Sequence, residues 1–139
     1  MSADVLASVE DGLLRVTINR PEKRNPLSRA VLARLREIFE EQRDNDALVL
    51  ALICGAGDRS FAAGGDLRDL EQVRTVPEAG ALFDLGNGAF QTIRNFPVPV
   101  VAALNGVALG GGAELAVACD VRIAAAHARI GFVQGTLNI

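Results

Sequence analysis

Two glycine-rich turns and the carboxylate beside one of them carry most of the chemical content of this sequence. The first turn is Phe61-Ala62-Ala63-Gly64-Gly65-Asp66, and the second is Leu109-Gly110-Gly111-Gly112-Ala113-Glu114. Each follows an apolar run of strand character. Glycine accepts positive φ and lets a ligand come close to main-chain N–H groups. The second turn also opens a helix, whose first N–H groups have no intrahelical acceptor. N–H groups from two loops that converge on one oxygen make an oxyanion hole, a preorganised cradle for negative charge developing during reaction. Glu114 falls in the first turn of that helix, within reach of a ligand so held. It reads either as a general base or as a first-turn carboxylate favoured by the helix dipole by about 0.3–1 kcal/mol. The bland reading of both glycine turns is close strand–helix packing.

Competing chemistries are poorly supported. Gly110-x-Gly112 has Leu115 where a dinucleotide fingerprint needs a third glycine. Gly106 to Gly111 has phosphate-loop spacing, but Gly112-Ala113 stands where Lys-Ser or Lys-Thr is required. Ser60 and His127 lack the surroundings of a nucleophile elbow; Ser60 reads as a coil or capping residue and His127 as a strand-flanking surface residue. Asp66 reads as the N-cap of a helix beginning near Leu67. Lys23 and Arg24 are loop cations, placed to meet phosphates or simply to be solvated. Cys54 and Cys119 lie in apolar runs and read as buried free thiols; with His127 the only histidine, no metal site is expected.

The elements that must position these residues alternate between strand and helix. Val5, Ala7 and Val9, the turn Asp11-Gly12, then Leu14, Val16 and Ile18 predict a hairpin with one buried face. After the loop from Asn19 to Pro26, Ser28 caps a helix bearing Leu32, Leu35, Ile38 and Phe39 on one side. Ala47 to Cys54 and Val100 to Leu104 read as strands buried on both faces. A helix is expected from about Glu78 to Asn95, a short one from Ala113 to Ala118, and strands at Val121 to Ala124 and Arg129 to Val133. The pattern is α/β, one domain over residues 1–139. An apolar sheet of this kind needs more covering helices than the sequence supplies, and it ends just after a strand, so the domain reads as incomplete at its C-terminus.

Composition sets the outer bounds. With 50 % hydrophobic and 22 % charged residues, the chain has the globular balance rather than that of a disordered one. A net charge of −3 without one-signed blocks gives no footprint for nucleic acid. The one long uncharged stretch, Phe96 to Ala113, contains two prolines and four glycines and is no membrane helix. No signal-peptide pattern opens the chain, so a cytoplasmic protein is expected.

Taken in order, three strings carry a family resemblance: Asn19-Arg20-Pro21-Glu22-Lys23-Arg24-Asn25-Pro26-Leu27, FAAGGDL at 61–67, and NGVALGGGAELAVACDVRIAA at 105–125. Together they resemble the enoyl-CoA hydratase/isomerase (crotonase) family. The resemblance implies a crotonase-like spiral of ββα repeats, cut short before a C-terminal helical region, and assembly as homotrimers or hexamers. It implies an acyl-CoA thioester as substrate, with coenzyme A part of that substrate and no other cofactor. Gly65 and Gly111 would form the oxyanion hole, and Glu114 would match the first of two catalytic glutamates. Lys23, Arg24, Pro26, Leu27, Ala63, Gly65, Asp66 and Leu67 would line the CoA site. The second glutamate position falls on Gln134, which neither gives nor takes a proton at neutral pH. Hydratase/isomerase-type activity is the first expectation. Ile130-Gly131-Phe132-Val133-Gln134 also looks like family members that decarboxylate malonyl-type CoA esters, the second. A non-catalytic acyl-CoA binder or inactive fragment is the third.

Overall fold

A computed structural model describes residues 3–137. Strands β1 (Val5–Glu10) and β2 (Leu13–Ile18) form the expected antiparallel hairpin. Asp11 and Gly12 both have positive φ, 50° and 79°, as a tight two-residue hairpin turn requires. The buried face is supplied by β2 almost alone. Leu14, Val16 and Ile18 are buried, but of β1 only Val5 is, because β1 lies at the sheet edge.

Helix α1 (Arg29–Gln42) starts where Ser28 Oγ accepts the Val31 N–H at 3.2 Å, and buries Leu32, Leu35, Ile38 and Phe39. Strand β3 is shorter than the apolar run that announces it, covering Leu50–Gly55. Asn45 holds the preceding residues in a turn: its Oδ1 accepts Ala47 N–H and its main-chain oxygen accepts Leu48 N–H, both at 3.1 Å. Strands β5 (Val100–Leu104) and β7 (Val121–Ala124) complete a sheet ordered β1-β2-β3-β5-β7, parallel from β2 onward.

A second sheet, unforeseen in the sequence, holds the two glycine-rich loops. It consists of β4 (Ser60–Ala62), β6 (Val107–Leu109) and β8 (Ile130–Gly131), all parallel. Ser60 is therefore a buried strand residue, not coil; its hydroxyl donates to Arg24 O at 2.7 Å. The strand expected over 129–133 shrinks to two residues, and a 3-10 turn follows at Gln134–Leu137. The short helix α2 (Leu67–Glu71) is capped by Asp66, whose side chain accepts Arg68 N–H at 2.9 Å. Helix α3 (Val76–Arg94) begins two residues early through a Thr75/Glu78 capping box. Helix α4 (Gly111–Ala118) starts inside the glycine run.

The two faces of the large sheet differ. Leu14, Val16, Ala51, Ile53, Val100 and Ala102 share one face by register and are buried. Leu52, Cys54, Val101, Ala103, Val121 and Ile123 fall on the other; Val101 is buried there, and the rest are half-buried or exposed. Cys54 is accordingly only partly covered, while Cys119 is buried. Among the described residues no helix is long and apolar enough to cross a membrane.

Candidate active site

The loop following β4 and the loop following β6 are pressed together by their glycines. A Cβ on Gly112 would lie 2.0 Å from Ala62 O, so only glycine lets the first turn of α4 rest on the end of β4. Gly64 takes φ +104° and Gly110 φ +54°. A Cβ on Gly64 would meet Leu109 O at 3.2 Å. These contacts bring Gly65 and Gly111 side by side: Gly65 N lies 3.8 Å from where a Gly111 Cβ would be. Gly111 is the first residue of α4, so its N–H has no intrahelical acceptor. Among the described residues no main-chain acceptor pairs with Gly65 N–H, whereas its neighbour Ala63 donates to Arg24 O at 3.1 Å.

The segment 24–27 braces this arrangement. Leu27 N–H donates to Gly64 O at 2.7 Å, and Leu27 pairs with Gly65 as an isolated parallel bridge. Asn25, fully buried, is the organiser that sequence reasoning missed. Its Oδ1 accepts Arg20 N–H at 2.8 Å, and its Nδ2 donates to Ser60 O at 2.7 Å and Ala56 O at 3.0 Å. Arg24 and Asn25 both adopt left-handed φ, 64° and 52°. Asparagine tolerates that region better than most residues, and this was the available signal.

Glu114 stands one turn into α4, exposed on its outer side. Its Oε1 accepts a short hydrogen bond from Gln134 Nε2, so the two positions flagged from sequence do meet. Gln134 Oε1 is buried without a partner among the described residues. Asp66 is held between its capping role and an ion pair with Arg20 Nη1 at 3.3 Å.

A cavity of about 510 Å³ opens beside these groups. Gly65, Gly111, Glu114, Asp66 and Leu27 line it, with Leu32 of α1, Leu70 of α2 and the inner face of α3. Its wall is largely apolar, and the carboxylates of Asp66, Asp69 and Glu114 are its charged groups. Lys23, Arg24, Pro26, Ala63 and Leu67 are not part of this wall. Lys23, Arg24 and Leu67 are exposed nearby, and Pro26 is buried beneath the loop. The contributions of Leu70, Gly86 and Asn87 were not read from the sequence, because no local pattern distinguishes a cavity-facing residue from an exposed one.

The remaining reactive groups have other duties. His127 Nε2 sits between two carbonyls, Asp58 O at 2.7 Å and Asn105 O at 3.0 Å, and so carries the proton as donor. It ties two loops on the surface. Burial, with the Asp120 charge, pushes the Cys119 thiol up to about 12 against the opposing Arg122, which removes it as a nucleophile. No cluster of metal-ligating side chains occurs among the described residues.

The sequence model of the enoyl-CoA hydratase/isomerase family matches residues 8–139. The chain is 37 % identical over 136 residues to the short-chain-enoyl-CoA hydratase of Clostridium acetobutylicum, covering 98 % of this chain and 52 % of that one. It is 38 % identical to the crotonyl-CoA hydratase of Syntrophomonas wolfei, with the same coverages of 98 % and 52 %. The crystal structure of an enoyl-CoA hydratase from Bacillus anthracis superposes with a TM-score of 0.94 at 31 % identity, over 99 % of this chain and 53 % of that one. The chain thus spans about half the length of the curated relatives it matches. In fold and in sequence, it belongs to the enoyl-CoA hydratase/isomerase family and carries the crotonase-like architecture expected from its motifs.

Proposed function

We propose that the protein acts on acyl-CoA thioesters, holding the thioester oxygen between the main-chain N–H groups of Gly65 and Gly111 while an enolate forms. The observation carrying this reading is the adjacency of those two glycines, with Glu114 on the same cavity wall. Donors aimed at developing charge stabilise the transition state more than the ground state, which is what accelerates a reaction. The substrate's coenzyme A brings the only cofactor-like group; the exposed Lys23 and Arg24 lie near the glycine loops, suited to its phosphates.

In hydration, Glu114 takes a proton from water as the hydroxyl oxygen bonds to the β-carbon. The double-bond electrons move into the thioester, giving an enolate whose oxygen sits in the hole. The α-carbon then needs a proton. Gln134 has none to give, so Glu114 returns the one it took.

The hydrogen bond from Gln134 to Glu114 favours a second reading, decarboxylation of a malonyl-type ester. There the bond from the α-carbon to the carboxylate breaks, carbon dioxide leaves, and the bonding pair becomes the enolate. No base is needed, and water supplies the final proton.

Mass spectrometry after incubation with crotonyl-, longer enoyl-, methylmalonyl- and ethylmalonyl-CoA separates these. Gain of one water on an enoyl ester is the expected result. Loss of carbon dioxide establishes the second reading. Esters returned unchanged overturn both and leave a non-catalytic acyl-CoA binder.

A further inference from the structure

Helix α3 contains three glycines, at 80, 86 and 88, although each weakens a helix relative to alanine. At one of them the space is contested: a Cβ on Gly88 would lie 2.9 Å from Arg36 Nη1, the movable end of an exposed side chain. Gly86 has no such constraint. A Cβ there would meet only Leu32 Cδ1, at 3.9 Å, across the cavity that both residues line. The space a larger side chain would take is the cavity itself.

That cavity follows one face of α3. Ala79, Leu82, Phe83, Gly86, Asn87 and Phe90 all line it, at the i, i+3, i+4, i+7, i+8, i+11 spacing of a single helical stripe. Eleven residues at the helical rise span roughly 16 Å. A four-carbon acyl group, with three C–C bonds of about 1.5 Å each, reaches along less than a third of that length. Most of the stripe is apolar, so it rewards methylenes and offers little to a polar chain.

Building on the acyl-thioester reading of the site, we propose that Gly86 is a specificity-determining residue, keeping this trough open for apolar acyl chains well beyond four carbons. Each methylene buried along the trough strengthens binding by roughly fourfold at most. The carbon chain, not the thioester head, then decides which esters the site prefers.

Saturated esters test this without chemistry, since butyryl-CoA and decanoyl-CoA offer neither a double bond to hydrate nor a carboxylate to lose. By titration calorimetry, decanoyl-CoA is expected to bind at least about tenfold tighter than butyryl-CoA. Gly86→Leu should bring that ratio toward one. Gly80→Leu, on the same helix but outside the cavity wall, should leave it unchanged; far-UV circular dichroism verifies that both variants are folded. Equal affinity for the two esters in the unaltered protein overturns the proposal, as does an equal effect of the two substitutions. If neither ester binds, the acyl-thioester reading falls together with it.

Discussion

In the proposed reaction, Glu114 and Gln134 define the chemistry at the scale of single residues. An amide donating to a carboxylate fixes that carboxylate's orientation but gives no second group able to exchange a proton. Gln134→Glu would place two carboxyl groups in contact, and like charges that close cannot both ionise easily, so the pair would share a proton near neutrality. Hydration of crotonyl-CoA is expected to rise at least about tenfold in this variant, the lower part of what a positioned acid or base contributes. Its pH–rate curve should become bell-shaped. Ultraviolet loss of the conjugated thioester, followed against pH, measures both. A flat response would mean that Gln134 serves only to hold Glu114. This position was legible in the sequence because a single residue type decides it. Asn25 was not, because its role lies in three hydrogen bonds to residues 20, 56 and 60, which only the folded chain brings together.

At the scale of elements, long periodic segments were readable and short ones were not. The hairpin, α1, α3 and β5 announce themselves by alternation or by a helical stripe. Strands β4 and β6 have three residues each, too few to show a period, yet they carry both glycine loops. The first turn of α4, which follows the second loop, rests on the end of β4 through the close approach at Gly112. Gly112→Ala forces a methyl group against Ala62 O and should destabilise the fold by about 1–3 kcal/mol or more, as overpacking does. Gly80→Ala, where nothing lies within 4 Å of the added carbon, should instead stabilise it by about 0.5–1 kcal/mol. Urea denaturation of the two variants measures both signs. Equal effects would show that the loop contact at Gly112 relaxes freely and does not set the spacing of Gly65 and Gly111.

For the whole molecule, the decisive feature is the uneven covering of the large sheet. Helices pack on the face of Val16, Ile53 and Ala102, and Arg122 belongs to that side too, where its guanidinium donates to Ala116 O and Cys119 O at the end of α4. Val121 and Ile123 point the opposite way and are 47 % and 63 % exposed. Parallel strands are ordinarily covered on both faces, because their sequences are apolar on both. The sequence already showed the imbalance, with more apolar strand than helix to cover it; which face stays open depends on register and could not be read. Exposed apolar stripes of this kind bind apolar probes. An anilinonaphthalene dye should therefore fluoresce strongly with the native protein in the absence of denaturant. Replacing Val121 and Ile123 together by lysine should remove most of that signal while leaving the urea midpoint nearly unchanged, since neither side chain belongs to the buried core. Dye fluorescence that survives the double substitution would come from the cavity along α3, where Phe83 is 71 % exposed, and on the proposed reading decanoyl-CoA should then displace the dye.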